Sequence, residues 1–273
     1  MMDTAGKRAT TDLGRDPWYL VEAGHYRCAI AAYTERLTRD PSAPSLRNRG
    51  TARFLIGDIQ GALADFRQAA LMQRPGYSVD SDSIFQGVCH WHLGQPVAAV
   101  ECWRAALEAR MTDWAGGARC FALLLYAGLR LHDAVLAKEA LGLLRARWRK
   151  HRRRERAIER RGYPTRYQML HRELHAWPGP LVLFLLGHID VDAFQRQAGD
   201  IDSEIVRIRQ RCQADFSVAL RALMEGDQRL FREAMTGCSS SPYGLLEHEF
   251  YLARWEVQHG FPEPPFAGAP SGG

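Results

Sequence analysis

No apolar run in this 273-residue sequence approaches the roughly 20 residues needed to cross a bilayer; Leu181–Leu186, for one, makes one or two helical turns. The start, Met1-Met2-Asp3-Thr4-Ala5-Gly6-Lys7-Arg8, is polar and holds no signal-peptide core. No membrane partner and a cytoplasmic location are expected. None of the six cysteines falls in a C-x-x-C pair. Disulfide frameworks belong to short secreted chains, and Cys28, Cys102 and Cys120 fall in apolar helical segments, so reduced core thiols are expected. No glycine-rich turn is followed by Lys-Ser or Lys-Thr, and no G-x-S-x-G is present, which removes the sequence marks of phosphate-loop and serine-nucleophile enzymes.

Metal-ligand spacing is equally thin. His171 and His175 stand one helical turn apart, but Arg172 occupies the place where a zinc metalloprotease helix needs Glu. His90 and His92 point about 200° apart on a helix and do not easily share one ion. The carboxylate pairs Asp80/Asp82 and Glu247/Glu249 read as loop and solvent-face groups. No metal, no cofactor and no enzyme activity are expected; a site using His171, His175 or His188 in the 163–259 region is the catalytic alternative.

What the chain does have is a repeat. Gly24, Tyr26, Ala29 and Tyr33 share their spacing with Gly57, Ile59, Ala62 and Phe66, and with Gly94, Pro96, Ala99 and Trp103. In the last two copies a second Ala follows (Ala69, Ala106), and a Gly precedes the turn by seven residues (Gly50, Gly87). A turn glycine ends one helix in a left-handed conformation. The Ala lets the next helix approach closely, and the aromatic one turn later fills the wider gap on the same face. The turn glycines are 33 and 37 residues apart, and a period of about 34 marks stacked helix pairs.

On these residues, with Pro41 and Pro75 closing the first two units, residues 17–148 resemble the tetratricopeptide repeat (TPR) family. Pro17 replaces the early Gly of the first unit, which predicts a short first helix. A fourth unit would turn at His132, with Ala137, Leu141 and Leu144 behind it. The resemblance implies an all-α, right-handed helical solenoid that binds rather than catalyses, capped by a C-terminal helical region. The segment Trp177–Asp190, the helix ending at Gly226-Asp227, and Tyr251-Leu252-Ala253-Arg254 resemble the C-terminal part of bacterial NlpI-type TPR adaptors. Those are membrane-anchored lipoproteins, and this chain differs in lacking a leader and a lipidation Cys.

Four segments are expected: a flexible 1–16, repeats over 17–161 ending in a long basic helix, a helical region over 163–259 with a degenerate repeat, and a Pro/Gly-rich tail from 260. Within the last region, helices are expected at 181–187, 190–198, 204–225, 228–236 and 242–259. The 204–225 helix carries an apolar stripe of Ile205, Ile208, Cys212, Phe216, Ala219, Leu220 and Leu223.

Two surfaces stand out. By helical phase, Arg47, Thr51, Phe54 and Leu55 of the second unit, and Ile84, Val88, Trp91 and His92 of the third, would line a concave groove suited to a peptide or a partner helix. The other surface is a charge block. The net charge is +5, yet Arg145–Arg161 alone carries +8, so the remainder is at −3. The block comprises Arg145, Arg147, Arg149, Lys150, Arg152, Arg153, Arg154, Arg156, Arg160 and Arg161, interrupted by Glu155 and Glu159. Within it, Arg152, Arg153, Arg154, Arg156, Arg160 and Arg161 are the candidate phosphate contacts, and Trp148 and Tyr163 flank that run as candidate base-stacking rings. The expected function is a non-catalytic protein-interaction module, an adaptor or an immunity-type inhibitor, holding its partner in the groove. The alternatives at the basic segment are an acidic protein surface or nucleic acid.

Overall fold

The computed structural model describes residues 16–73, 80–108, 119–161 and 177–262. The expectations for most of the lead-in, the 74–79 connection, Tyr163, the His171/His175 pair and most of the tail lie outside these residues. Among the described residues there are thirteen α-helices, one 3-10 turn and no strand. The chain divides into two compact units, Met1–Gln73 and Arg74–Gly273.

The first unit holds α1 (Trp18–Glu22), α2 (Tyr26–Arg39), α3 (Ala43–Leu55) and α4 (Ile59–Leu71), each packed on the next. The short α1 follows Pro17 as expected. Local signals set the boundaries: Pro44 opens α3, and the Asp58 carboxylate accepts from the Gly61 N–H at 2.9 Å to cap α4, a contact worth about 1 kcal/mol. Gly57 makes the intervening turn at φ 85°, a conformation open to glycine at little steric cost.

The second unit holds α5 (Asp80–His92), α6 (Pro96–Ala106), α7 (Arg119–Arg130) and α8 (Ala134–Arg161), then α9 (Gly179–Leu185), α10 (Val191–Gln197), α11 (Glu204–Glu225), α12 (Gln228–Ser239), a 3-10 turn at Gly244–Leu246, and α13 (His248–Gln258). α5 pairs with α6, α7 with α8, and α11 with α12. α11 also packs on α7, and α13 on α5. Residues on either side of the sequence boundary near 162 therefore share one core, and that boundary does not divide the packing. The last helix starts at His248 rather than 242, because the chain first makes the 3-10 turn.

The repeat code is read directly in the packing. Ala29, Ala62 and Ala99 have no exposed surface, and Tyr33, Phe66 and Trp103 are buried beside them. A Cβ placed on Gly50 would stand 3.1 Å from the Phe66 ring, and one on Gly87 would stand 2.3 Å from Nε1 of Trp103. The indole also donates to the Ile84 carbonyl at 3.2 Å, so it is held on both sides. Gly87→Ala is thus expected to lower the unfolding free energy by about 1–3 kcal/mol. Gly142→Ala, on α8 with open space around it, should raise it by about 0.5–1 kcal/mol. Urea titrations of the two variants measure both. In the fourth unit His132 takes the left-handed turn at φ 51°, but close approach falls at Gly128, against the backbone of Ala137.

Several expectations are corrected. Cys28 is exposed, because it lies one residue off the buried Ala29/Tyr33 stripe of α2. Ile205, in the first turn of α11, is exposed too. Asp80, Asp82, Glu247 and Glu249 are all buried rather than solvated. Asp80 and Asp82 sit in the first turn of α5, where the helix dipole favours negative charge. Glu247 is held by Arg209 and Gln213 of α11.

Candidate functional site

The α5 face proposed as a groove is filled by the chain itself. Ile84, Val88 and Trp91 have at most 1% of their surface exposed. Trp91 stacks on Trp103 at 5.8 Å between centroids and meets Tyr126 at 5.0 Å and Trp255 of α13 at 6.2 Å. Phe85 makes edge contacts with His248 and Tyr251 of the same C-terminal helix. His92 Nε2 lies 3.0 Å from the Tyr251 carbonyl; because a carbonyl only accepts, that nitrogen carries the proton. Among the second-unit candidates, His92 alone keeps part of its surface exposed. Helical phase puts these four residues on one face. It was silent on what covers that face, since α13 lies about 160 residues further along the chain.

Burial lowers the His92 pKa to about 4, aided by the His259 and Arg254 charges and opposed by the Tyr251 hydrogen bond. Neutral imidazole is therefore the folded form. Because the folded value lies below the unfolded one, this stability is present above about pH 6.5 and is lost as pH falls toward 4, by about 3 kcal/mol in full. Asp215, which burial lifts to about 6, moves stability the other way over an overlapping range. The clean measurement is the difference between wild type and His92→Gln. Wild type is expected to lose its advantage progressively between pH 7 and 4, and a constant difference would overturn the assignment.

A second polar cluster closes the same core. The Glu256 carboxylate has no exposed surface; it accepts from the Tyr126 hydroxyl at 2.6 Å and from Arg130 at 2.6 and 3.1 Å. Arg130 also donates to the Pro262 carbonyl at 2.6 Å. Burial pushes both the Tyr126 hydroxyl and the Glu256 carboxyl upward. This triad pins α7 to α13. The pairing joins residues 126 positions apart, and no spacing in the sequence announces it.

In the first unit, Thr51 and Phe54 are buried, while Arg47 and Leu55 keep part of their surface. Their neighbours Arg49 and Arg53 converge on the buried Asp65, at 2.7 and 3.0 Å. Tyr33 donates to Asp16 at 2.5 Å and accepts from Asn48 at 2.9 Å. Its hydroxyl is pushed far up by burial and by Asp16.

The basic segment lies wholly on α8, whose 28 residues extend about 42 Å at 1.5 Å per residue. The buried positions Leu136, Ala140, Leu144 and Glu155 face the core. At 100° per residue, Arg145, Arg149, Arg152, Arg153, Arg156 and Arg160 fall within an arc of about 100° roughly opposite that face. Lys150, Arg154 and Arg161 form a second row beside it. All nine are exposed except Arg152, which is partly covered. Arg152 pairs with Glu155 at 2.5 Å, and its guanidinium carbon lies 5.6 Å from the Trp148 ring centroid. Arg160 donates back to the Arg156 carbonyl. Among the described residues, Arg145, Arg149, Arg153, Arg156 and Arg160 have no carboxylate partner. The exposed Glu159 borders the row beside Arg156 and Arg152. The His188 ring, at the end of α9, approaches Trp148 at 5.9 Å; the sequence places these rings 40 positions apart and did not link them.

Among the described residues no group of three or more His, Cys, Asp and Glu side chains is placed to hold a metal ion, and no helix is long and apolar enough to cross a membrane. Compared with family models and with curated proteins, the chain matches none.

Proposed function

We propose that this chain is a non-catalytic binding protein, a TPR-type right-handed helical solenoid whose partner surface is the outer cationic face of α8. The partner is polyanionic. One observation carries the reading: an arginine row faces away from the core, and five of its six side chains, all but the Glu155-paired Arg152, have no carboxylate partner among the described residues. Like charges three or four residues apart on a helix repel by about 0.2–0.5 kcal/mol per pair. A polyanion laid along the row relieves that repulsion and gains charge-assisted hydrogen bonds to guanidinium groups.

The TPR-type architecture is supported by the turn glycines and by the small-against-large contacts at Gly50/Phe66 and Gly87/Trp103. A binding rather than catalytic role is supported by where the most perturbed groups lie. The Tyr126 hydroxyl and the Cys238 thiol, both pushed well up by burial, are closed inside the core. The groove reading moves accordingly. In the second unit its face is occupied by α13 except at His92, and in the first unit Arg47 and Leu55 keep part of their surface. An adaptor and an immunity-type inhibitor both fit this role.

The test is retention on a heparin column, with an Arg149→Glu/Arg156→Glu double reversal. Each new Glu gains an arginine four residues away on both sides, so the helix is expected to keep its thermal stability and circular dichroism. Retention should fall to that of an uncharged-matrix control. Undiminished retention would remove α8 as the site.

A further inference from the structure

We infer that the cationic face of α8, with Trp148 and His188 at its edge, binds single-stranded nucleic acid, the arginines tracking phosphates and the Trp148 cluster taking a base. This rests on the polyanion reading above and names the partner within it. The row from Arg145 to Arg160 is about 22 Å long, enough for several consecutive phosphates. It is formed by arginine rather than lysine except at the flanking Lys150, and the guanidinium fork suits phosphate oxygens in a way that a point charge does not.

The ring cluster separates nucleic acid from an acidic protein. Trp148 is only partly covered. Arg152 lies over its ring at 5.6 Å, and the exposed His188 approaches it at 5.9 Å with planes 37° apart. Indole, guanidinium plane and imidazole are the groups on which unstacked bases rest. An acidic peptide would use the charges but would have no need of this cluster. The cluster also favours a single strand over a duplex, whose bases are stacked on each other and not free to enter it. Glu159 at the border sets a limit on the far end of the track, so about five phosphates are expected to be neutralised.

The experiment is fluorescence anisotropy of labelled 20-nucleotide single-stranded RNA, single-stranded DNA and duplex DNA with the full chain, with polyglutamate as competitor. At low salt a single strand should bind, with log affinity falling by about 3–4 per decade of salt, as five phosphate contacts on a single strand require. Arg149→Glu/Arg156→Glu should abolish binding. Trp148→Leu should weaken it roughly ten-fold, in line with one lost base stack, and His188→Ala, at an exposed position, by a few-fold. The RNA and DNA arms tell which sugar the surface prefers, and binding of either supports the inference. Tighter binding to duplex, displacement by polyglutamate at equal charge, or affinity unchanged in both Trp148→Leu and His188→Ala would overturn it. Heparin retention that depends on the arginine row, without oligonucleotide binding, overturns this inference alone; retention independent of the row overturns the polyanion reading as well.

Discussion

Trp91→Ala is expected to cost about 3–5 kcal/mol of folding free energy, the range for emptying a large aromatic site in a packed core. The indole is 1% exposed and is shared by three layers: Trp103 on α6, Tyr126 on α7 and Trp255 on α13. Its removal opens one void bordered by all three. Those neighbours are themselves pinned, Trp103 by its bond to the Ile84 carbonyl and Tyr126 by Glu256, so the site has little freedom to collapse. Domains of this kind are stable by about 5–15 kcal/mol in total, and the variant should sit close to its unfolding threshold at 37 °C. Guanidinium titration followed by tryptophan fluorescence measures the loss. A cost below about 1 kcal/mol would mean that the ring lies on an open face after all. A binding defect in this variant reports on the core and says nothing about a groove.

What could be read from the sequence follows from the range of each physical signal. Turn glycines, capping aspartates and the Ala-to-aromatic spacing act within one helix pair. Gly57, Gly94 and Gly226 take left-handed turns; Asp58, Asp190 and Asp227 cap the helices that follow at the same short range, although the sequence expectations did not include them. Helix α11 has the limits that its periodicity predicts. Charge clustering is local too, so the cationic helix was legible. Its sorting into a row opposite the core needed only the helical period, once Leu136, Ala140 and Leu144 were known to face inward.

The failures concern contacts over long separations. Phase identified the α5 face, but an apolar face looks the same whether it awaits a partner or is covered by a helix of its own chain. Glu247 and Glu249 read as solvent-facing because burying a carboxylate is costly unless a cation or donor meets it. Arg209, which meets Glu247, and Arg130, which meets the equally buried Glu256, come from helices elsewhere in the sequence. His188 beside Trp148 is the same kind of juxtaposition.

The Arg130–Glu256 pair yields the other large effect. Arg130→Met should destabilise the protein by about 3–5 kcal/mol, because it leaves the Glu256 carboxylate buried without its cation. The Tyr126 hydroxyl still donates to that carboxylate, but one neutral hydrogen bond does not replace a two-pronged guanidinium. The pH dependence identifies the cause. Burial already raises the Glu256 pKa, with Arg130 opposing the rise; without Arg130 it must climb further. A carboxyl whose folded value exceeds its unfolded one destabilises the fold when ionised, and the penalty is relieved by protonation. The deficit of Arg130→Met against wild type should therefore shrink as pH falls from 8 toward 5, whereas a packing defect would leave it constant. Arg130→Met/Glu256→Leu removes both charges and should recover most of the loss, since an apolar pair of similar size is often as stable as the ion pair it replaces. If the double variant is no more stable than Arg130→Met at neutral pH, the cost lies in the lost Pro262 and Tyr126 contacts rather than in an uncompensated charge.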